Sequence, residues 1–169
     1  MELYVIRHAI AQQLGKKNSF TDKKRALTAE GRDRMREIAK GLRKLGVELD
    51  LIMTSPMERA VETAEIMASA LKLDKKSIVQ TDNLKPGASS ASLISELKKH
   101  SGIEAIAIVG HQPDLGKLAS KIVKSRGDFS IQFKKGGVCC INVTETVPTL
   151  RGSLMWFLTP KQLRMLAKS

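Results

Sequence analysis

Two histidines and two arginines of this sequence stand where an apolar segment gives way to a polar one. Arg7 and His8 directly follow a short run of strong β-propensity, and His111 directly follows a second one. Arg59 comes just after Ser55-Pro56, a pair typical of a helix start. Guanidinium groups and imidazoles both bind anions, and an imidazole also titrates near neutral pH. The four side chains therefore indicate a site that binds an anion and acts on it chemically.

The elements that carry these residues alternate between strands and amphipathic helices. Helices are predicted to begin at Thr28, at Ser55, at the serines 89–90 and at Pro113, where capping residues or prolines stand. Ser55 is predicted as an N-cap with Glu58 completing a capping box, and Gly46 is predicted to end the first helix. Strands are predicted at residues 3–6, 49–54, 77–81 and 105–110, the third of them at an outer position.

The last quarter of the chain follows a different pattern. Residues 131–133, 137–143 and 153–158 are predicted as strands joined without long helices, which favours antiparallel pairing at the edge of a sheet. Thr159-Pro160 begins a last short helix. The whole pattern predicts an α/β fold, a three-layer αβα sandwich whose mostly parallel central sheet carries antiparallel edge strands.

This topology brings the chemically active residues together. Right-handed crossovers place the carboxyl ends of parallel strands at one edge of a sheet, where open α/β folds bind their ligands. We therefore expect Arg7, His8, Arg59 and His111 to meet there, beside at least two helix N-termini. Helix N-termini favour negative charge through their unpaired N–H groups and the helix dipole. The ligand that this combination predicts is a phosphoryl group.

Each of these residues, taken alone, also has an ordinary explanation. Arg59 fits an exposed helix residue paired with Glu58 or Glu62, and His111 fits a polar residue at a helix start. His100, at the end of a predicted helix, is expected to have no chemical role. A zinc site is not expected, because the chain has three histidines and its two cysteines are adjacent. A Walker loop and a GxGxxG turn are both absent from the sequence.

Composition limits the class of partner. The 169 residues are predicted to form one domain, 1–169, and the formal net charge of +12 favours an acidic partner or an anionic substrate. Nucleic acid is not expected, because one Trp, one Tyr and four Phe leave few rings to stack bases. No apolar run is long enough for a membrane span. No signal peptide is expected, because Met1 leads almost directly into the first predicted strand. Cys139 and Cys140 are predicted as free thiols on opposite faces of a strand, which favours a cytoplasmic location.

Three sequence blocks, in order, resemble the histidine phosphatase superfamily, also called phosphoglycerate mutase-like. They are Arg7-His8, then Ser55-Pro56-Met57-Glu58-Arg59-Ala60-Val61-Glu62-Thr63-Ala64, then Val109-Gly110-His111. Two further features make the chain most similar to the SixA-type phosphohistidine phosphatases, and the resemblance covers nearly its whole length. These are Gly110-His111-Gln112-Pro113-Asp114-Leu115 and the ending Leu158-Thr159-Pro160-Lys161-Gln162-Leu163-Arg164.

The resemblance implies a role for each of the four residues. His8 would be the nucleophile that accepts the phosphoryl group, with one ring nitrogen bonded to a carbonyl and the other aimed at phosphorus. Arg7 and Arg59 would bind the phosphoryl oxygens, and His111 would donate a further hydrogen bond. No metal and no cofactor is needed for this chemistry.

Larger members of the family usually supply a carboxylic acid after the third strand. Here Asp82 is the candidate general acid, although the segment Gln80–Gly87 matches no recognisable acid motif. The chain also has no room for the insertions that cover the pocket in larger relatives. We therefore expect a phosphatase that acts on phosphohistidine in a partner protein with an acidic surface. A small-molecule phosphomonoesterase is the alternative, and a non-catalytic phosphate- or nucleic-acid-binding module is a more distant one.

Overall fold

The computed structural model describes residues 1–14, 21–123, 131–146 and 149–169. Its six strands are β1 Glu2–Arg7, β2 Leu51–Thr54, β3 Ile78–Gln80, β4 Ala105–Gly110, β5 Val138–Glu145 and β6 Arg151–Leu158. They form one sheet in the order β3-β2-β4-β1-β5-β6. The first four strands are parallel to each other, whereas β5 and β6 are antiparallel. The predicted mixed sheet, with β3 at an outer position, is confirmed.

Helices cover both faces of this sheet. They are α1 Ala29–Lys44, α2 Glu58–Leu71, α3 Ser90–Lys98, α4 Asp114–Ile122 and α5 Pro160–Leu166. Short 3-10 helices lie at Asp22–Lys24, Lys75–Ser77 and Asp82–Leu84. One apolar cluster joins α1, α2 and α5 to one face of the sheet, and a second joins α3 and α4 to the other. Cys140 lies in the first cluster and Cys139 in the second, so the two free thiols point to opposite faces as predicted.

The predicted ends of α1 are confirmed. The Thr28 side chain accepts a hydrogen bond from the backbone N–H of Gly31, and the helix ends before Gly46, whose φ of 76° lies in the left-handed region. The polar connection between β1 and α1, residues 10–27, includes the bridge between Ala11 and Leu27 and one 3-10 helix. Its residues 15–20, with Lys16 and Lys17, lie outside the described residues.

Two predictions about local structure are wrong. Residues 131–133 do not form a strand, because the Ile131 and Phe133 carbonyls accept hydrogen bonds from the side chains of Gln112 and Arg7. The second error concerns α2, whose N-cap is Met57 rather than Ser55. The Ser55 hydroxyl lies 2.9 Å from the ring of His111, so it serves the site rather than a capping box.

Candidate active site

The central position of β1 fixes Arg7 and His8. β1 lies between β4 and β5, and its backbone pairs with β4 up to Arg7 and with β5 up to Ile6. The His8 N–H donates to the carbonyl of Gly110, at the end of β4, over 3.1 Å. His111 is the next residue, and the ring centroids of His8 and His111 lie 5.1 Å apart. The two strand ends therefore bring the two imidazoles together, as predicted.

A single hydrogen bond determines which nitrogen of His8 carries the proton. Nδ1 lies 2.7 Å from the carbonyl oxygen of Ala9. A carbonyl can only accept, so Nδ1 is the protonated nitrogen of the neutral ring and Nε2 has a free lone pair. Burial lowers the pKa of His8 to about 3; the bond to Ala9 opposes this, while the positive charges of Arg59 and Arg7 add to it. His8 is therefore a neutral imidazole at pH 7 with Nε2 available.

His111 is neutral for a similar reason. Burial lowers its pKa to about 4, with a further contribution from the positive charge of Arg59 and an opposing one from Asp22. Its Nε2 lies 2.9 Å from the Ser55 hydroxyl oxygen, which also accepts a 3.4 Å hydrogen bond from the backbone N–H of Met57. Ser55 follows β2, and its own N–H donates to Val109 of β4. Neighbouring parallel strands therefore position both halves of the Ser55–His111 pair.

Arg59 is buried in the first turn of α2, and only 4% of its surface is exposed. Its Nη1 donates to the backbone carbonyl of Asp22 over 2.9 Å, and its Nη2 donates to the Asp22 carboxylate over 3.2 Å. Arg59 is therefore neither an exposed helix residue nor a partner of Glu62. The Glu62 carboxylate accepts instead from Arg32 and from the Leu27 N–H.

Both arginines keep a nitrogen for a ligand. Arg7 Nη1 donates to the Phe133 carbonyl over 2.6 Å, which fixes the guanidinium beside His8. The Nε atoms of Arg7 and Arg59 are buried, and neither has a hydrogen-bond acceptor among the residues in the described ranges. A buried charged donor without an acceptor is costly, and the oxygens of a phosphoryl group would satisfy both.

Thr63 connects α2, which carries Arg59, to the segment that follows Arg7 and His8 at the end of β1. Its hydroxyl donates to the Arg59 carbonyl over 2.7 Å and accepts from the Ala9 N–H over 3.1 Å. The hydroxyl is buried, so both bonds lie in a region of low dielectric. The threonine of the sequence block therefore fixes the first turn of α2 against the loop that follows His8.

Asp82 forms no hydrogen bond or ion pair with these site residues in the described part of the chain. It begins the 3-10 helix Asp82–Leu84, its side chain is 78% exposed, and its carboxylate forms an ion pair with Lys85 over 2.8 Å. The neighbouring residues Asn83, Leu84 and Lys85 line a small pocket together with His111. His100 follows α3 at the amino ends of the parallel strands, opposite the site. Its backbone closes the turn before β4 there.

Four residues of the site were not predicted from the sequence: Ser55, Thr63, Asp22 and Arg25. Arg25 lies in the polar loop before α1, where its Nε is 3.5 Å from the Asp22 carboxylate and 23% of its side chain is exposed. The spacing of three residues between Asp22 and Arg25 was the available signal, and it is common in polar loops.

In the described ranges, no group of three or more His, Cys, Asp or Glu side chains is placed to hold a metal ion. No described helix has the length and apolar character of a membrane span.

A sheet whose carboxyl edge carries two neutral histidines, the buried Arg59 and the partly buried Arg7 is the site of an enzyme that acts on phosphoryl groups, a phosphatase. The sequence profile of the Histidine phosphatase superfamily (branch 1) matches residues 3–85. The chain belongs to this superfamily, as the resemblance of its three blocks predicted.

Comparisons over nearly the whole chain agree with this assignment. An uncharacterized protein of Picosynechococcus sp. is 34% identical over 82% of each chain. The phosphohistidine phosphatase SixA of Escherichia coli is 24% identical over 98% of each chain. The solved structure of the protein histidine phosphatase SixA complexed with tungstate superimposes with a TM-score of 0.84, at 24% identity, over 96% of this chain and 99% of that one. The predicted phosphoglycerate mutase-like fold is therefore confirmed.

Proposed function

We propose that the protein hydrolyses phosphohistidine in another protein, through a covalent intermediate on His8. The observation that carries this proposal is the hydrogen bond from His8 Nδ1 to Ala9, which leaves Nε2 unprotonated on a buried neutral ring. Such an imidazole is nucleophilic at pH 7 without a separate base. The similarity to SixA, a phosphohistidine phosphatase, supports the choice of substrate.

The reaction proceeds in two displacements at phosphorus. Nε2 of His8 attacks, a new N–P bond forms, and the bond from phosphorus to the substrate imidazole breaks. That imidazole keeps the electron pair and takes a proton from solvent. Water then attacks the phosphoryl group on His8, gives up a proton and releases inorganic phosphate with neutral His8.

The surrounding residues stabilise the charge that develops on the phosphoryl oxygens. Arg7 and Arg59 donate from their guanidinium groups, which match the oxygens of a planar phosphoryl group. His111 Nε2 and the Ser55 hydroxyl lie 2.9 Å apart. We assign the donated proton to the Ser55 hydroxyl, so that Nδ1–H of His111 is the donor to the phosphoryl group. These donors are held by the protein before the substrate binds, so little reorganisation is needed.

The position of the carboxylates favours cleavage of P–N bonds over P–O esters. An alkoxide leaves poorly unless an acid protonates it, whereas an imidazole leaves readily. Asp82 is mostly exposed and paired with Lys85, and the Asp22 carboxylate is bonded to Arg59. We therefore expect kcat/KM to be highest for phosphohistidine proteins, intermediate for aryl phosphates, and lowest for phosphoserine peptides and sugar phosphates. Equal values, or a selective loss of ester hydrolysis in Asp82→Asn, would contradict this expectation.

The covalent intermediate can be trapped. Brief incubation with a labelled phosphoryl donor, followed by an alkaline quench, should leave acid-labile label on the wild-type protein and none on His8→Ala. His100→Ala is the matched control, because His100 lies at the opposite edge of the sheet. Label retained by His8→Ala would show that another residue is the nucleophile.

A small-molecule phosphomonoesterase is the second candidate. It is favoured by a pocket of about 570 Å³ beside Arg7, a volume typical of sites for small ligands. The same substrate panel decides between the two, because sugar phosphates would then match or exceed phosphohistidine proteins.

A further inference from the structure

The pocket beside Arg7 is unusual in its charge. Six cations line it, and they come from β1, α1, the segment before β5, and α5: Arg7, Arg34, Lys134, Lys135, Lys161 and Arg164. Its apolar part is formed by Ile10, Ile38 and Pro160, and no carboxylate is among its described lining residues. We refer to this pocket, defined by the six cations, as the basic pocket.

Part of this charge is balanced by acidic residues of α1. Arg34 pairs with Glu30 over 2.5 Å, and Arg164 pairs with Glu37. Lys134, Lys135 and Lys161 are exposed, and none of the three has an ion pair with a carboxylate in the part of the chain that the structure describes. The mouth of the basic pocket therefore has an excess of positive charge.

The two adjacent lysines are fixed to the catalytic strand. They form a turn in which the Gly137 N–H donates to the Lys134 carbonyl over 2.7 Å. Gly136 lies between Lys135 and Gly137 in the chain. Its N–H donates to the carbonyls of Arg7 at 3.0 Å and of His8 at 3.2 Å. The basic pocket and the phosphoryl site therefore have Arg7 in common, and the turn of Lys134 and Lys135 is bonded to the strand end that carries His8.

We propose that the basic pocket binds acidic side chains that neighbour the phosphohistidine of the partner protein. This inference rests on the proposed function and names the surface that the partner presents. The lysines are flexible point charges that attract carboxylates without fixing one orientation. Cations distributed over several elements also accelerate the association of an acidic protein through their summed field.

The lining residues argue against a dedicated site for a small anion. A small-molecule site fixes its ligand with a few neutral or charged groups of defined direction. Among the described lining residues, Thr159 is the one neutral polar side chain. The apolar residues Ile38 and Pro160 offer contact to the stems of bound side chains rather than hydrogen bonds.

Two peptides that differ only in their flanking charge test the proposal. Both carry a non-hydrolysable phosphonate analogue of phosphohistidine; one is flanked by Asp and Glu, the other by Asn and Gln. At low salt, the wild-type protein should bind the acidic peptide at least about tenfold more tightly. The preference should disappear in Lys135→Glu/Lys161→Glu and weaken in Lys135→Gln/Lys161→Gln. For the wild type it should also decrease at roughly 0.5 M salt, because salt screens exposed charges.

The matched control changes the same charge elsewhere. Lys75 and Lys76 are exposed and precede β3, at the opposite edge of the sheet, and Lys75→Glu/Lys76→Glu should keep the preference. Equal binding of the two peptides, or an equal loss in the control, would overturn the proposal. An equal loss of sugar phosphate hydrolysis in Lys135→Glu/Lys161→Glu would assign the pocket to small anions instead.

Failure of the proposed function gives a different result. Two further peptides have the same acidic or neutral flanks but carry phosphohistidine in place of the phosphonate analogue. If the wild-type protein does not hydrolyse them, the proposed function is wrong. The binding comparison still decides whether the basic pocket recognises acidic side chains. If both peptides are hydrolysed with equal kcat/KM, the basic pocket has no part in substrate choice and the proposed function remains.

Discussion

At the scale of single residues, the reactivity of His8 follows from its surroundings rather than from a neighbouring base. The carbonyl of Ala9 fixes the proton on Nδ1, and burial beside Arg59 and Arg7 disfavours a second proton. Both effects act on the free enzyme, before a substrate is bound. The pH dependence of activity should therefore differ from that of an ordinary histidine.

We expect kcat/KM to show no decrease with an apparent pKa near the ordinary value of about 6.5. The lowered pKa values of His8, to about 3, and His111, to about 4, keep both rings neutral as the pH falls from 7 to 5. The measurement is a pH profile with a phosphoramidate whose own ionisation is known. A loss of activity centred near pH 6.5 would show that one of the two rings protonates as if it were exposed.

The same shifts make the folded protein less stable in acid. Below about pH 6.5 the unfolded state binds protons that the two native rings do not, so stability falls between that pH and the native pKa values of about 3 and about 4. From pH 7 to pH 5 each histidine should cost up to about 2 kcal/mol of unfolding free energy. Urea titrations should show a smaller decrease for His8→Gln than for the wild type, and an equal decrease would contradict burial of a neutral His8.

Arg59 should not tolerate replacement by lysine. Its guanidinium holds Asp22 through Nη1 and Nη2 and still has Nε for a ligand, an arrangement that a single ammonium cannot reproduce. We expect Arg59→Lys to lower kcat roughly 10²- to 10³-fold. Arg36→Lys, at an exposed position of α1, is the control and should be near normal. Comparable activity of the two variants would mean that Arg59 has only a structural role.

At the scale of elements, the turn before β5 holds the catalytic strand end in place. Gly136 has a φ of 81°, and a Cβ there would lie 2.7 Å from Cδ1 of Ile38. Its N–H donates to the carbonyls of both Arg7 and His8. A side chain at this position would therefore strain the turn and shift the strand end at the same time.

We expect Gly136→Ala to cost at least about 1 kcal/mol of unfolding free energy, because alanine disfavours a positive φ. It should also reduce kcat, since the shift would reach His8. Gly102→Ala is the matched control: no atom lies within 4 Å of its Cβ position and its φ is not positive, so it should behave like the wild type. Urea unfolding and steady-state kinetics of both variants give the comparison, and equal behaviour would rule out the structural role of the turn.

Local sequence patterns predicted the elements well where the backbone follows its own preferences. Thr28, Gly46 and Thr159-Pro160 set helix ends through short-range hydrogen bonds, and these are confirmed. Ser55 has the same local signal, but its hydroxyl is directed to His111, 56 residues away. The apolar run 131–133 likewise fails as a strand, because Arg7 and Gln112 take its carbonyls. Long-range polar contacts of this kind leave no trace in the local pattern.

The candidate site was predictable for a related reason. Arg7, His8 and His111 end or follow strands, so the parallel topology alone places them at one edge. Asp22 and Arg25 reach the same place from a loop, and no rule of sheet topology fixes a loop. Their contribution depends on the contact of Asp22 with Arg59, which only the folded structure reveals.

At the scale of the whole molecule, the net charge of +12 works against the compact state and in favour of anion binding. Arg59 is buried and Arg7 partly buried close to two uncharged histidines, and burial lowers the pKa of both guanidinium groups. An anion that binds between them offsets this unfavourable burial of charge. It also binds the folded state only, since the four residues meet through the sheet.

Inorganic phosphate should therefore stabilise the whole protein by mass action. At about 100 times its Kd, phosphate should add about 2.7 kcal/mol to the unfolding free energy. For a chain of this length that corresponds to an increase in Tm of roughly 5 to 10 °C. Sodium chloride at the same ionic strength measures the contribution of screening alone and should raise Tm less.

Arg59→Lys should lose most of the phosphate-specific increase while keeping the chloride response. If chloride and phosphate raised Tm equally, or if Arg59→Lys kept the full phosphate effect, the anion would be bound by the basic surface in general and not by the site at the carboxyl edge of the sheet.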